Sequence, residues 1–293
     1  MQTVIEKAAV LIEALPYIQD FRGSVVVVKV GGSVMESATN LERLLTDIAF
    51  MNTVGIKTVL VHGGGKAISR EMEREGIAPN FVQGLRVTCE RTIRVVERVL
   101  KREINAEVVR ILQARGVGAR PMHGDWIFRC EKKTGRDAEG NTLDWGFVGA
   151  PVWVDGRAVV EMLNAGMLPV ITPLGAGADG AVYNMNADTA ASSLAMALRS
   201  RKLAFISDVP GLLRDMNDPE SRINSVRAGE IENLKKAGIV GGGMLPKLDS
   251  CVEAIRAGVG KVHLVDGRMP HSLLLEIFTK TGVGTEIIAD EQP

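Results

Sequence analysis

The chain lacks an excess of either charge: 35 basic residues stand against 35 acidic ones across 293 positions. That balance excludes a broad cationic surface for nucleic acid and an acidic solvating tail. Cysteine is scarce. Cys89, Cys130 and Cys251 are odd in number and far apart, which argues against a disulfide framework and for free thiols in a reducing, cytoplasmic setting. Each reads as a small apolar filler. No apolar run approaches the roughly 20 residues of a membrane span. The N-terminal MQTVIEKAAVLIEAL carries early acids and no long apolar stretch, unlike a signal peptide. Repeats and low-complexity tracts are missing as well. What is present is a chain with 46% hydrophobic residues, long enough to bury a full core as one large domain or two lobes.

Val4, Ile5, Ala8, Leu11, Ile12, Leu15 and Ile18 recur at helical spacing, and Pro16 is expected to kink or break that helix. Because the helix precedes the first strand, its apolar face has either another subunit or its own domain as partner. Apolar runs then alternate with helical patterns. VVVVKV (25–30), TVLVHG (58–63), LPVITPL (168–174), LAFISDV (203–209), KVHLVDG (261–267) and 285–288 predict strands. Residues 40–54, 65–75, 89–115, 157–165, 187–199, 228–237, 245–257 and 270–279 predict helices. Short strands at 118–122, 126–131 and 147–154 surround a polar hairpin at 132–144. This alternation predicts an α/β fold: a three-layer αβα sandwich with a mainly parallel central sheet. The hairpin region departs from the alternation and reads as a cap on the substrate side.

Glycine clusters mark where chemistry belongs. Gly31-Gly32-Ser33 and Gly63-Gly64-Gly65-Lys66 come directly off apolar strands and run into helices, and Gly241-Gly242-Gly243 precedes another. Open α/β sheets bind ligands at the carboxyl ends of their strands. Glycine there lets backbone N–H groups approach an anion, and a following helix N-terminus adds a favourable field. Familiar phosphate motifs do not fit. GGGKA lacks the spacing of a Walker A loop, and GAGADG (175–180) is followed by the extended AVYN where a dinucleotide fold needs a helix. HGGG (62–65) has no GxSxG elbow to serve. His62, His123, His263 and His271 lack metal-site spacing.

Two lysines sit where lysine is costly. Lys29 interrupts a buried strand pattern, so its ammonium requires an anionic partner, and the adjacent glycines favour a phosphate. Lys247 follows Pro246 at a predicted helix start, where a cation opposes the helix dipole unless a polyphosphate is bound. Asp188 lies where a loop becomes a helix: by itself an N-cap or first-turn acid, but between two lysines a group able to hold both. Asn184 can bond a ligand or cap the helix. Arg86 offers a planar fork for a carboxylate, although alone it reads as a surface residue.

VVKVGGS (27–33), VLVHGGGKAIS (59–69), QGLRVT (83–88), YNMNADTAA (183–191), ISDVPGLL (206–213) and GGGMLPK (241–247) resemble the amino acid kinase superfamily, in the family's order from Leu11 to Ile288. HGGG, GLRVT and NMNAD together are similar to its N-acetylglutamate kinases. The resemblance implies phosphoryl transfer from ATP, with Mg²⁺ riding on the nucleotide phosphates, to the side-chain carboxylate of N-acetyl-L-glutamate. It implies that Lys29 and Lys247 stabilise the transition state and Asp188 orients them. Gly32, Gly64 and Gly65 supply N–H groups, the last two also at the substrate, with Arg86 on its α-carboxylate and Asn184 on its amide end. Ser207, Asp208, Gly211, Gly241, Gly242 and Gly243 resemble the nucleotide side. The implied domains are an oligomerisation helix (1–22), an acyl-amino-acid lobe (23–180) and a nucleotide lobe (181–293). EKAAVLIEALPYIQDFRG and KVHLVDGRMPHSLLLEIFTKTGVGTEI are similar to arginine-inhibited members, which assemble as hexamers from dimers. That implies a site for L-arginine at Tyr17, His263, Glu276 and Gly284. Val30, Ser33, Gln83 and the hairpin at 122–145 depart from the residues frequent in the family. A sister kinase with another N-modified acidic acceptor, or a non-catalytic arginine-binding homologue, are the alternatives.

Overall fold

A computed structural model describes residues 2–290 except Ala138, Gly243 and Lys280. From the N-terminus come helix α1 (Gln2–Phe21), strand β1 (Val25–Val30), α2 (Ala38–Thr53), β2 (Lys57–His62), α3 (Gly65–Arg74) and the short strands β3 (Phe81–Val82) and β4 (Leu85–Arg86). Helix α4 (Glu90–Arg98) passes through a π-helical turn, Val99–Ile104, into α5 (Asn105–Gln113). Then follow β5 (Ala119–Met122), α6 (Gly124–Ile127), β6 (Phe128–Arg136), β7 (Thr142–Val154), α7 (Gly156–Asn164), β8 (Leu168–Ile171), β9 (Leu174–Gly177), β10 (Val182–Asn184) and α8 (Ala187–Ala197). The last stretch contains β11 (Lys202–Ser207), β12 (Ser225–Arg227), α9 (Ile231–Lys236), α10 (Met244–Arg256), β13 (Lys261–Asp266), α11 (Ser272–Phe278) and β14 (Thr285–Ile288).

Eight strands form one sheet in the order β12-β14-β13-β11-β1-β2-β8-β5. Every neighbouring pair is parallel except β13 and β14. β1 is central because its run of valines suits a strand covered on both faces: Val26, Val27, Val28 and Val30 are fully buried. Pleating sends alternate residues to opposite layers. Val27 joins the core under α8 and α10, whereas Val26, Val28 and Val30 join the core under α2, α5 and α11. The result is the expected αβα sandwich. A second, small closed sheet, β10-β7-β6-β9, stands on the carboxyl side of the first.

Three expectations change in detail, and one, the extended AVYN after GAGADG, holds. LPVITPL is two strands, because the chain leaves the sheet at Thr172-Pro173, where proline has no N–H for the ladder. GAGADG and the segment after it form the hairpin β9–β10, with Gly177 N–H accepted by the Ala181 carbonyl at 2.9 Å. The helix read over 89–115 contains the π-helical turn. Pro16 does not end α1, which continues as one helix although Pro16 offers no N–H to the carbonyl of Ile12. On that helix Ile5, Leu11, Ile12 and Leu15 are exposed, and contact with its own domain begins near Tyr17, Ile18 and Phe21.

Candidate active site

Lys29 lies two residues beyond Val27, so the pleat directs it into the α8 layer at the carboxyl end of the sheet. Helix α8 approaches closely because its inner face is small: Ala190, Ala191, Ser192 and Ala195 are buried. Its N-cap is Asn186, whose side chain accepts from the N–H groups of Asp188 (2.8 Å) and Thr189 (3.1 Å). Asp188 is therefore a first-turn residue, freed from capping, and its carboxylate faces Lys29. The Lys29 ammonium stands 2.7 Å from Asp188 Oδ1, and the Lys247 ammonium 2.5 Å from Oδ2. Lys247 arrives from the first turn of α10, with its ammonium 4.9 Å from the centre of the Phe205 ring. Residues 218 positions apart thus meet on one carboxylate, as the two misplaced lysines implied.

The electrostatics are those of an underneutralised anion site. Burial works against the Asp188 charge, but the two lysines outweigh it and hold the carboxyl at about 2. Burial draws the Lys29 pKa below the ordinary lysine value, with Asp188 pulling the other way and Lys247 adding to the fall. One carboxylate cannot satisfy two desolvated cations, so the cluster carries a net positive charge that a phosphate can complete.

The glycine loops border this centre. Gly31, Gly32, Gly63, Gly64 and Gly65 line a cleft of about 230 Å³ with Lys29, Arg86, Asn184 and Asp188. Gly32 has φ +63°, a conformation that L side chains rarely adopt. A Cβ on Gly64 would come within 2.6 Å of Ile104 Cδ1 and 2.8 Å of Leu100 Cδ2. Arg86 is buried and not the surface residue it resembles in isolation: one Nη donates to Gly65 O and Ser69 Oγ, each at 2.8 Å, and its guanidinium lies 4.6 Å from the centre of the Phe81 ring. Burial lowers its pKa from the ordinary arginine value. The β3–β4 hairpin that presents it turns through Gln83 at φ 49° and Gly84 at φ 76°. Glutamine there accepts a conformation that glycine or asparagine meets at lower cost.

The remaining expected residues fall into three groups. Asp208, just after β11, has its carboxylate 3.3 Å from a Cβ built on Gly32; burial raises its pKa, and hydrogen bonds from Ser33 bring it below the usual carboxylate range. Ser207 ends β11 beside it, and Gly241 and Gly242 precede α10 in the open, while Gly243 lies outside the described residues. Gly211 packs against Thr285, whose hydroxyl accepts from Leu212 N–H at 2.8 Å, and does not line the cleft. Tyr17, His263 and Glu276 line a separate cavity of about 640 Å³ with Lys202 and Glu286; Gly284 stands behind it, its N–H donating to Glu276 Oε2 at 2.8 Å. Sequence reasoning passed over Phe81, Leu100, Val148, Pro173 and Met185 in the cleft wall, which are ordinary apolar residues without a pattern of their own. It also passed over Asn186, which the Asn-x-Asp spacing before a helix does signal.

Residues 24–266 match the model of the amino acid kinase family. The acetylglutamate kinase of Heliobacterium modesticaldum is 45% identical over 294 residues, covering 98% of this chain and all of that protein. That of Archaeoglobus fulgidus is 40% identical and covers 97% of this chain and 99% of that one. Among solved structures, N-acetylglutamate synthase from Neisseria gonorrhoeae with coenzyme A and N-acetyl-glutamate superposes with a TM-score of 0.86 at 26% identity, over 97% of this chain and 64% of the synthase. The same synthase with coenzyme A and L-arginine gives 0.81 at 26% identity, over 97% and 65%. With its paired lysines, glycine loops and nearly full-length relatives, the chain belongs to the amino acid kinase family, in the branch formed by the acetylglutamate kinases.

Proposed function

We propose that the chain transfers the γ-phosphoryl group of ATP to the side-chain carboxylate of N-acetyl-L-glutamate. One observation carries the reading: two ammonium groups from distant elements share Asp188 at the mouth of two glycine loops. A carboxylate is already a nucleophile and needs no general base. One of its oxygens bonds to the γ-phosphorus as the bond to the bridging oxygen of ADP breaks, and ADP leaves with that electron pair. The obstacle is repulsion between anions, which fixed positive charge and loop N–H groups relieve. Arg86, its fork already anchored to Gly65 and Ser69, presents its remaining N–H groups to the α-carboxylate, and Asn184 serves the amide end. Mg²⁺ comes with the nucleotide; both Asp188 oxygens are occupied by lysines and are not free to hold it. The lobe carrying Arg86 takes the acyl amino acid, the one carrying Asp208 and Lys247 takes the nucleotide, and the setting is cytoplasmic. In an acyl-phosphate assay, N-acetyl-L-glutamate with MgATP yields hydroxylamine-trappable product; its absence would overturn the proposal.

L-Arginine is proposed to inhibit from the cavity at Tyr17, His263 and Glu276. The Glu276 and Glu286 carboxylates suit its cationic ends, and Lys202, drawn to about 8 chiefly by burial, suits its carboxylate. The exposed Ile5, Leu11, Ile12 and Leu15 of α1 serve assembly of dimers into a hexamer. Deleting residues 1–22 is therefore expected to lower the molar mass seen by light scattering and to abolish slowing by millimolar arginine. A truncated enzyme of unchanged mass and arginine response counts against both assignments.

A further inference from the structure

The glycine loop that follows β2 is held by a directed chain of hydrogen bonds that starts at the π-helical turn. The π-turn ends where Asn105 begins α5, and both Asn105 and His62 are fully buried. Asn105 Nδ2 lies 2.9 Å from the Val170 carbonyl and 3.0 Å from His62 Nε2. A carbonyl can only accept, and the amide nitrogen has two hydrogens, so it donates to both. His62 Nε2 is then an acceptor and Nδ1 carries the proton, which it donates to the Gly63 carbonyl at 2.9 Å. Gly63 N–H in turn donates to the Val30 carbonyl at 2.7 Å. The chain runs from β8 through Asn105 and His62 into the loop, and across to β1.

The same turn touches the loop a second time. Leu100 and Ile104 project from it onto the Cα of Gly64, leaving no room for a side chain there. A π-turn inserts an extra residue into a helix and is found at functional sites. Here it lets α4 present Leu100 to the cleft while α5 begins with an amide aimed at β2.

We propose that Asn105 is a positioning residue for phosphoryl transfer: through the neutral imidazole of His62 it fixes the Gly63–Gly65 loop, whose Gly64 and Gly65 N–H groups serve the migrating phosphoryl. The proposal rests on the phosphotransferase reading. Its surroundings agree with an imidazole kept neutral. Burial holds His62 at about 4, against the hydrogen bond to Gly63, and His123 beyond β5 pushes in the same direction as burial. Lys29 leaves β1 on the opposite face, and β8 brings no charge. On the π-turn, Lys101 pairs with Glu97 and Asp125, Glu103 with Arg98, and Arg102 is exposed.

Two substitutions test this. Asn105→Ala removes the donor to Nε2 and frees the ring; kcat is expected to fall about 10–100-fold while KM for both substrates stays within about twofold. Asn105→Asp replaces a donor by an acceptor. The carboxylate favours the imidazolium, which donates from both nitrogens and restores the link from position 105 to the loop, though not the bond to the Val170 carbonyl, so the His62 pKa rises by about 1–3 units. Activity of Asn105→Asp should therefore increase as the pH falls through that raised value, a limb absent from the unaltered enzyme. Histidine ¹⁵N NMR reads the same titration without substrate. Wild-type kcat in both variants, or an unshifted His62 titration in Asn105→Asp, overturns the proposal. Should Asn105→Ala fail to fold, the Asn105→Asp profile decides. An unaltered enzyme that forms no acyl phosphate overturns the phosphotransferase reading itself, and the substrate-free titration tells the two failures apart.

Discussion

Lys29→Ala and Lys247→Ala are each expected to lose about 10²–10³ in turnover, equivalent to about 3–4 kcal/mol of barrier, while keeping the fold. The charge arithmetic explains why folding survives. One carboxylate and two ammonium groups make a cluster of net +1, and removing either lysine leaves a neutral Lys–Asp pair. What disappears is the unbalanced positive charge, and with it the match to an anion that gains charge as it moves. The loss belongs in kcat, because charge builds on the transferred group only in the transition state. Arginine is a poor replacement at position 29, since a planar fork does not fit where an ammonium reaches between Gly31 and Asp188. Steady-state rates with saturating MgATP and acceptor, set beside circular dichroism of each variant, provide the check; turnover near that of the unaltered enzyme in either one contradicts the assignment.

The fold was legible where side-chain periodicity and burial agree. VVVVKV, TVLVHG and KVHLVDG are strands because β-branched runs covered on both faces have few other options. Lys29 was legible because one cation inside such a run is an anomaly whose cost demands a partner. The identity of that partner was legible only as a possibility, since Asp188 satisfies every local rule for a helix start. Its freedom to leave the cap depends on Asn186, two residues earlier, accepting from the N–H groups of Asp188 and Thr189. Arg86 was misread in isolation because its burial depends on Phe81, Ser69 and Met72, brought together from separate elements. The π-turn is not separable in the apolar spacing of 89–115, because one extra residue rotates the register by about 100°, comparable to the width of an apolar stripe, and the apolar residues before and after it pack into different clusters. Strand β9, and its pairing with the extended AVYN, escaped for another reason: Gly175 and Gly177 weaken strand propensity, and the small closed sheet depends on close approach of Cys130 and Tyr183 to those glycines.

Asp188→Ala is expected to damage the protein more deeply than loss of either lysine. It leaves two desolvated ammonium groups facing each other with no counter-charge, and breaking a buried ion cluster on that side costs about 3–5 kcal/mol of stability. The pH dependence of the unaltered enzyme follows from the same group. With its carboxyl at about 2 in the folded state against the ordinary aspartate value of 3.8, the unfolded chain binds the extra proton between those values, so stability falls as pH drops through them. The contribution lost is on the order of 2 kcal/mol. In Asp188→Ala that acid-sensitive portion is absent at every pH, and its denaturation midpoint in urea should change less than that of the unaltered enzyme over the same window. The variant also separates holding the fold from holding the ligand. A non-hydrolysable MgATP analogue carries the anionic charge that the missing carboxylate supplied, so it should raise the melting temperature of Asp188→Ala by more than that of the unaltered enzyme, although turnover stays lost because nothing aims the ammonium groups at the migrating phosphoryl. An analogue that stabilises both proteins equally, or a variant within about 1 kcal/mol of the original stability, would mean that the two lysines do not depend on Asp188 for their charge balance.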